Sequence, residues 1–179
     1  KQYSVDVAIV LALIWMGLEF RARGLTPMRM VLYALAGAAA VWFSHPAVFV
    51  LAGIGLYFFL SFAAKKEWPN LLRISLVGLA WGGSLLAEYF ISLKDLGQNE
   101  LLVAYWSGSF LPFPPASLAD LSWYARAFFA AFKDPFATPW PELCALVFLL
   151  GAFTLAKKEK RFFWLLVSAL PFMLAASAL

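Results

Sequence analysis

Residues 28–64 form an almost unbroken apolar run, and no single helix can hold it. At about 1.5 Å per residue such a helix would reach about 55 Å, nearly twice the roughly 30 Å hydrocarbon thickness of a bilayer. The chain therefore has to turn inside the run. The only polar punctuation there is Ser44-His45-Pro46. Proline suits the first turn of a new helix, where its missing N–H is not needed, and Ser44 or His45 can occupy the cap before it. The step is predicted as a tight helix-hairpin turn at a membrane surface.

Composition identifies the solvent. The chain is 64% hydrophobic and 18% aromatic, with 13% charged residues, against about 45–50% apolar and about 25% charged in soluble domains. The bilayer is its solvent. The expected fold is all-α: one polytopic transmembrane helix bundle over 1–179, with spans at about 5–20, 27–43, 46–64, 71–91, 141–156 and 162–179. No internal repeat or low-complexity segment interrupts it. The sequence opens at Lys1 without Met or a signal pattern and closes inside an apolar run, which reads as a piece of a longer polytopic protein.

Basic residues orient the bundle. Arg21, Arg23 and Arg29 follow the first predicted span, Lys65, Lys66 and Arg73 the third, and Lys157, Lys158, Lys160 and Arg161 the fifth. These are most of the 14 basic residues, and by parity all three loops share one side. Lys and Arg concentrate in cytoplasmic loops, so that side is cytoplasmic. The net charge of +4 is thus explained by topology rather than by nucleic acid. His45 and the long loop 92–140 then lie on the outer face. Trp42, Phe43, Tyr89, Phe90, Tyr105, Trp106, Trp123, Tyr124 and Trp140 collect at that level, with Trp68 and Trp164 at the inner one, as interfacial aromatics do. Gly78 and Gly82 form a small-xxx-small pair that predicts a close helix contact.

The outer loop carries its own element. Leu-Pro-Phe-Pro-Pro at 111–115 cannot be helical. Ser117 and Asp120 match a capping box, and Leu118, Leu121, Tyr124, Ala125 and Phe128 recur at helical spacing, with Phe129 and Phe132 widening that face. An amphipathic helix over about 118–133 is expected to lie at the outer interface and roof the bundle.

Few side chains here can carry chemistry. One cysteine, Cys144, excludes an internal disulfide or a cysteine metal cluster, and one histidine excludes multi-histidine metal motifs. No Gly-rich phosphate loop, G-x-S-x-G or H-E-x-x-H is present. Ionisable groups inside a span raise a functional expectation. Glu88 is the clearest, about one turn below the outer end of the fourth span with Ser84 a turn further in. It faces a substrate cavity, or else hydrogen-bonds another helix or snorkels outward. His45 contacts a phosphate or sugar or shuttles a proton, unless it is only a turn residue. Asp6 reads either as a site residue or as a helix-start acid, and Glu19 as an ion-pair partner of Arg21 or Arg23. Arg126 and Lys133 bind anionic lipid or a diphosphate, or merely snorkel. Tyr105 and Trp106 stack on a sugar or prenyl chain, or anchor the interface. No nucleophile–base pair or carboxylate dyad emerges.

Three passages, WFSHPAVFVLAGIGL (42–56), AYWSGSFLPFPPASLADLSWYARAFF (104–129) and LVFLLGAFTLAKKEKRFFWLLVSALPF (146–172), together resemble the C-terminal half of bacterial polytopic GT-C type glycosyltransferases of the family 39, protein-mannosyltransferase-like group. The likeness lies in the order of helices and loops rather than in a catalytic signature. It implies transfer of a sugar from a polyprenyl-phosphate donor to an acceptor on the outer face of the bacterial inner membrane. It places the catalytic acid in a first outer loop that no segment here matches, so the catalytic residue is unassigned, this piece alone is expected to be inactive, and its partners include the missing N-terminal helices. His45, Glu88, Tyr105, Trp106 and Arg126 are then secondary substrate-site candidates. Whether a divalent metal takes part is left open by the sequence. Two rival classes stand beside this reading: half of a transporter or flippase for a lipid-linked or anionic solute, and a non-catalytic membrane scaffold. The polar candidates gather at the outer interface, and inverted repeats or broken midplane helices are not evident, which favours the outward-facing enzyme.

Overall fold

The computed structural model describes residues 3–94, 112–133 and 139–177. Among these residues every regular element is a helix. In chain order they are α1 (Tyr3–Arg23), α2 (Pro27–Phe43), α3 (His45–Ala64), α4 (Trp68–Glu88, continued by a π-helical turn at Tyr89–Leu93), α5 (Leu118–Lys133), α6 (Pro141–Lys158), α7 (Lys160–Val167) and α8 (Leu170–Ser177). Two stretches, His45–Ala64 and Trp68–Ser92, are long and apolar enough to cross a membrane, and α2 is a shorter apolar helix.

Proline marks four of these helix starts. Pro27, Pro46, Pro69 and Pro141 each fall in the first two positions of a helix, where the fixed φ helps and the absent N–H costs nothing. At α2 the Thr26 hydroxyl also accepts from the Arg29 N–H, at 3.4 Å. Between α1 and α2, Gly24 adopts φ 72° and its N–H returns to the Phe20 carbonyl at 2.9 Å, a glycine stop that a side chain would strain.

The chain divides into two compact units. The first holds α1–α4 together with Leu165–Met173. Short connections force its helices to alternate in direction. Within it, Phe20 packs on Phe58 with ring centroids 4.2 Å apart, and Gly17 meets Ile54, so α1 and α3 run parallel. Likewise Trp81 donates to the Tyr33 carbonyl at 3.0 Å, Ser84 to the Ala38 carbonyl at 2.7 Å, and Trp42 to the Ser84 hydroxyl at 2.9 Å. This ladder makes α2 and α4 parallel, with α3 antiparallel to both. Leu13, Phe20, Val41, Leu51, Phe58 and Val77 are among the core residues, and Leu165 joins them.

The α1–α2 and α3–α4 connections share one end of this unit, because Arg73 at the start of α4 donates to the Leu25 carbonyl at 3.2 Å. Arg29 closes the same end by donating to the Arg23 and Gly24 carbonyls. The Ser44 turn and Glu88 lie at the other end. Large apolar side chains such as Val7, Leu11 and Trp15 on α1, and Leu76 and Leu79 on α4, stay exposed. Exposed apolar surface of that extent marks contact with a membrane or with further protein.

Two expectations are corrected. Among the described residues, the stretch expected at 162–179 is not one continuous helix: α7 ends at Val167, the Ser168 hydroxyl turns back to the Leu165 carbonyl at 2.6 Å, and α8 begins at Leu170. Pro171 gives the reason, since within a continuous helix it would lack a hydrogen bond and clash with the preceding turn. Gly78 and Gly82 also make no close helix contact among the described residues, for a Cβ placed at either position meets nothing within 4 Å. The close approaches are at Gly37, where the Trp81 indole occupies the space of a side chain, and at Gly53, which lies against the backbone of Ser168 and Ala169.

The second unit holds α5 and α6. Phe132 sits 5.2 Å from Phe128 and 5.5 Å from Phe148, centroid to centroid, and the Tyr124 hydroxyl donates to the Pro112 carbonyl at 2.6 Å. The apolar face anticipated for 118–133 is therefore divided. Tyr124 and Phe128 pack within the unit, whereas Leu118 remains 84% exposed and Leu121 54% exposed.

Gly37→Ala is expected to lower the unfolding free energy by about 1–3 kcal/mol, the range for forcing a methyl into a filled contact. Gly78→Ala should leave it unchanged or raise it by up to about 1 kcal/mol, because alanine favours the helix and nothing obstructs it. Thermal unfolding of both variants in one detergent checks the contrast.

Candidate functional site

Two of the predicted residues meet. His45 opens α3 and Glu88 closes α4, and their Nε2 and Oε1 atoms are 3.7 Å apart. That separation is too long for a hydrogen bond, yet close enough for an ion pair when the imidazole is protonated. The two environments differ sharply: the His45 side chain is 68% exposed and that of Glu88 only 5%. Glu88 is followed directly by the π-helical turn Tyr89–Leu93, a local widening of the helix often found at functional sites.

Ser44 completes the group. It is the single residue between α2 and α3, extended at φ −154°, ψ 107°. Its N–H donates to the Ala40 carbonyl and its own carbonyl accepts from the Ala47 N–H, each at 3.0 Å. The backbone thus does the capping at both helix ends and the side chain makes no cap hydrogen bond. Ser44 Oγ and Glu88 Oε2 are both buried without a hydrogen-bond partner among the described residues. Buried polar atoms are nearly always paired, so two orphans at one turn mark a place where structure alone does not account for the residues. Chemically the cluster offers a carboxylate, a hydroxyl and an exposed imidazole able to bind an anion or exchange a proton.

The other candidates are distributed differently. Ser84 belongs to the helix contact, donating to Ala38 and accepting from Trp42, and does not join Glu88 in a site. Asp6 is half-buried in the first turn of α1, and Glu19 pairs with Arg23 at 3.0 Å. Arg126 and Lys133 are exposed on α5, in the second unit. Tyr105 and Trp106 lie outside the described residues. No group of three or more His, Cys, Asp or Glu that could hold a metal ion occurs among the described residues.

The helix that carries Arg126 is anchored by an acid. Asp120 Oδ2 accepts from the Ala116 and Ser117 N–H groups, each at 2.9 Å, while the Asp120 N–H donates to the Ser117 hydroxyl at 3.2 Å. This is a reciprocal capping box. The hydrogen bonds from Ala116 and then Ser117 hold the Asp120 carboxyl below its usual value of 3.8.

Comparison of the chain with protein-family models, with curated proteins and with solved structures finds no match.

Ser44→Ala tests the orphan hydroxyl. Replacing an N-cap serine ordinarily costs about 0.5–2 kcal/mol. Here no cap bond is lost, so thermal unfolding should show stability unchanged or slightly raised. The Asp120 cap has a pH signature of the opposite kind to a histidine's. Its depressed carboxyl contributes stability above the ordinary value near 3.8, and that contribution disappears as pH falls through the lower folded value. Amide exchange at 116–121 should therefore accelerate on acidification below that point in the wild type, and should be fast and flat with pH in Asp120→Asn once the intrinsic chemical rate is divided out.

Proposed function

We propose that this chain is the C-terminal membrane portion of an outward-facing glycosyltransferase, which moves a sugar from a polyprenyl-phosphate donor to an acceptor on the extracytoplasmic side of the bacterial inner membrane. The observation that carries the reading is the convergence of His45 and Glu88 at one end of the helices, 3.7 Å apart beside an orphan serine hydroxyl. Two basic connections gather at the opposite end. In this reading the bundle has about six spans, loop 92–140 is extracytoplasmic and α5 lies along the outer interface. The order of helices and loops in 42–56, 104–129 and 146–172, which resembles GT-C enzymes, supplies the reaction class.

The chemistry is a single displacement at the anomeric carbon. A carboxylate base, outside the residues assigned here, takes the proton of the acceptor hydroxyl while the phosphate leaves. His45 faces the aqueous side at this end and contributes a hydrogen bond or a positive charge to the departing phosphate. Glu88 fixes the imbalance of charge at the turn and orients the imidazole from below. The resemblance also offers Arg126 as a cation for an anionic donor, and Tyr105 and Trp106 as aromatic surfaces for the sugar or the prenyl chain.

The test is transfer from radiolabelled polyprenyl-phosphate sugars by the intact gene product in membranes. Wild type should transfer label. His45→Ala and Glu88→Ala should each lower kcat/KM by about tenfold or more, the equivalent of one charge-assisted hydrogen bond of ~1.5–3 kcal/mol, at unchanged thermal stability. Absence of transfer from every donor would overturn the reading in favour of a transporter or a scaffold. Full activity in both variants would return the pair to structure.

A further inference from the structure

A groove of about 370 Å³ runs between α3 and α4, within the size range of small-molecule sites. Gly55, Gly78 and Gly82 line its floor, and Leu56, Phe59 and Phe172 are among its walls. Along α4 it extends from Ile74 to Leu85, about 16 Å at 1.5 Å per residue. Glycine within a helix is unfavourable unless something needs the space. Among the described residues no atom lies within 4 Å of a Cβ placed at Gly78 or Gly82, so these two residues keep a channel open rather than bring helices together. The dimensions are those of one hydrocarbon chain.

The groove also has a charged end. It lies between two antiparallel helices, and the connection that joins them, Lys65-Lys66-Glu67, stands at the end next to Phe59 and Ser75. Lys65 is 3.9 Å from Glu67, which also accepts from Asn70. Lys66 makes no ion pair among the described residues, is exposed, and holds φ 56°. That left-handed conformation is the usual place for glycine, and a lysine there is kept at a conformational cost. Trp68, 65% exposed, follows immediately and suits a headgroup level. Arg29 on α2 and Arg73 on α4, both bonded to carbonyls at the adjoining α1–α2 connection, reinforce the positive field at this end.

We infer that the α3–α4 groove is a binding site for an anionic membrane phospholipid, with one acyl chain along Gly78 and Gly82 and the phosphate on Lys66. The site does not depend on the transferase reading; it needs only that α3 and α4 sit in a bilayer.

Two substitutions separate tail from head. Gly82→Leu fills the groove from a position where a Cβ meets nothing within 4 Å. Lys66→Gly removes the cation while suiting the backbone. The purified chain is placed in nanodiscs of phosphatidylcholine alone or with added phosphatidylglycerol, and lipid retention is counted by native mass spectrometry alongside the thermal midpoint. Wild type should retain phosphatidylglycerol and gain a higher midpoint from it. Lys66→Gly should bind phosphatidylglycerol about fivefold more weakly, as loss of one basic group at an anionic surface predicts, yet equal or exceed wild type in phosphatidylcholine. Gly82→Leu should lose the retained lipid and keep its fold. Equal retention of both lipids by all three proteins would overturn the proposal, leaving only unselective annular lipid. A midpoint gain reproduced in phosphatidylcholine by inorganic phosphate alone would overturn it too, by showing that Lys66 binds a free anion.

Discussion

The Trp81 indole seated over Gly37 holds the rest of the first unit in register. Its N–H donates to the Tyr33 carbonyl, and no side chain at position 37 would leave it room. Three turns of α2 are tied to α4 through this contact and through the Trp42–Ser84–Ala38 relay. In an apolar solvent helices gain little from the hydrophobic effect, and they associate through packing and interhelical hydrogen bonds. A buried indole bonded to a backbone carbonyl supplies both. Its consequence lies about two turns further on: with α2 and α4 fixed side by side and parallel, the residue that ends α2 and the residue that ends α4 arrive at the same level. That is how Ser44 and His45 come to stand beside Glu88.

The turn was the most legible part of the fold, because length alone forbids residues 28–64 from being one helix and proline permits a start only where Pro46 stands. The start of α5 was legible for a similar reason. Ser117 and Asp120 are spaced to satisfy each other's N–H groups, and local chemistry of that kind does not wait for tertiary context. Glu88 and His45 were legible as individual residues, since a charge within an apolar span is conspicuous. Their pairing was not. It depends on the parallel packing of α2 and α4, which no local pattern announces.

Glycine shows where sequence patterns run out. Gly78 and Gly82 have the spacing of a helix contact, and Gly37 and Gly53 have no such partner in spacing, yet the contacts are at Gly37 and Gly53. A small residue states only that room exists. Whether a tryptophan, a backbone or nothing from the protein fills that room is decided by the facing element. For Gly53 that element is the Ser168–Ala169 break between α7 and α8. The break itself was signalled by Pro171, but its apolar surroundings disguised it as the middle of a span.

The two ends of the first unit differ in chemical character for one structural reason. Alternating helices place connections in alternate order, so residues from α1–α2 and α3–α4 share one end and those from α2–α3 share the other with the close of α4. At the first end the carboxylates are engaged, Glu19 by Arg23 and Glu67 by Lys65 and Asn70, and the surplus is cationic. At the second a single carboxylate is buried with one oxygen orphaned, under an exposed imidazole. A charge surplus in water is stable by itself, but a buried orphan is tolerated only where the remainder of the molecule holds it there. The cationic end is therefore a surface that a membrane can use as it stands. At the Glu88 end, the Trp81 contact keeps α2 and α4 side by side and so holds the buried carboxylate beside the Ser44 turn.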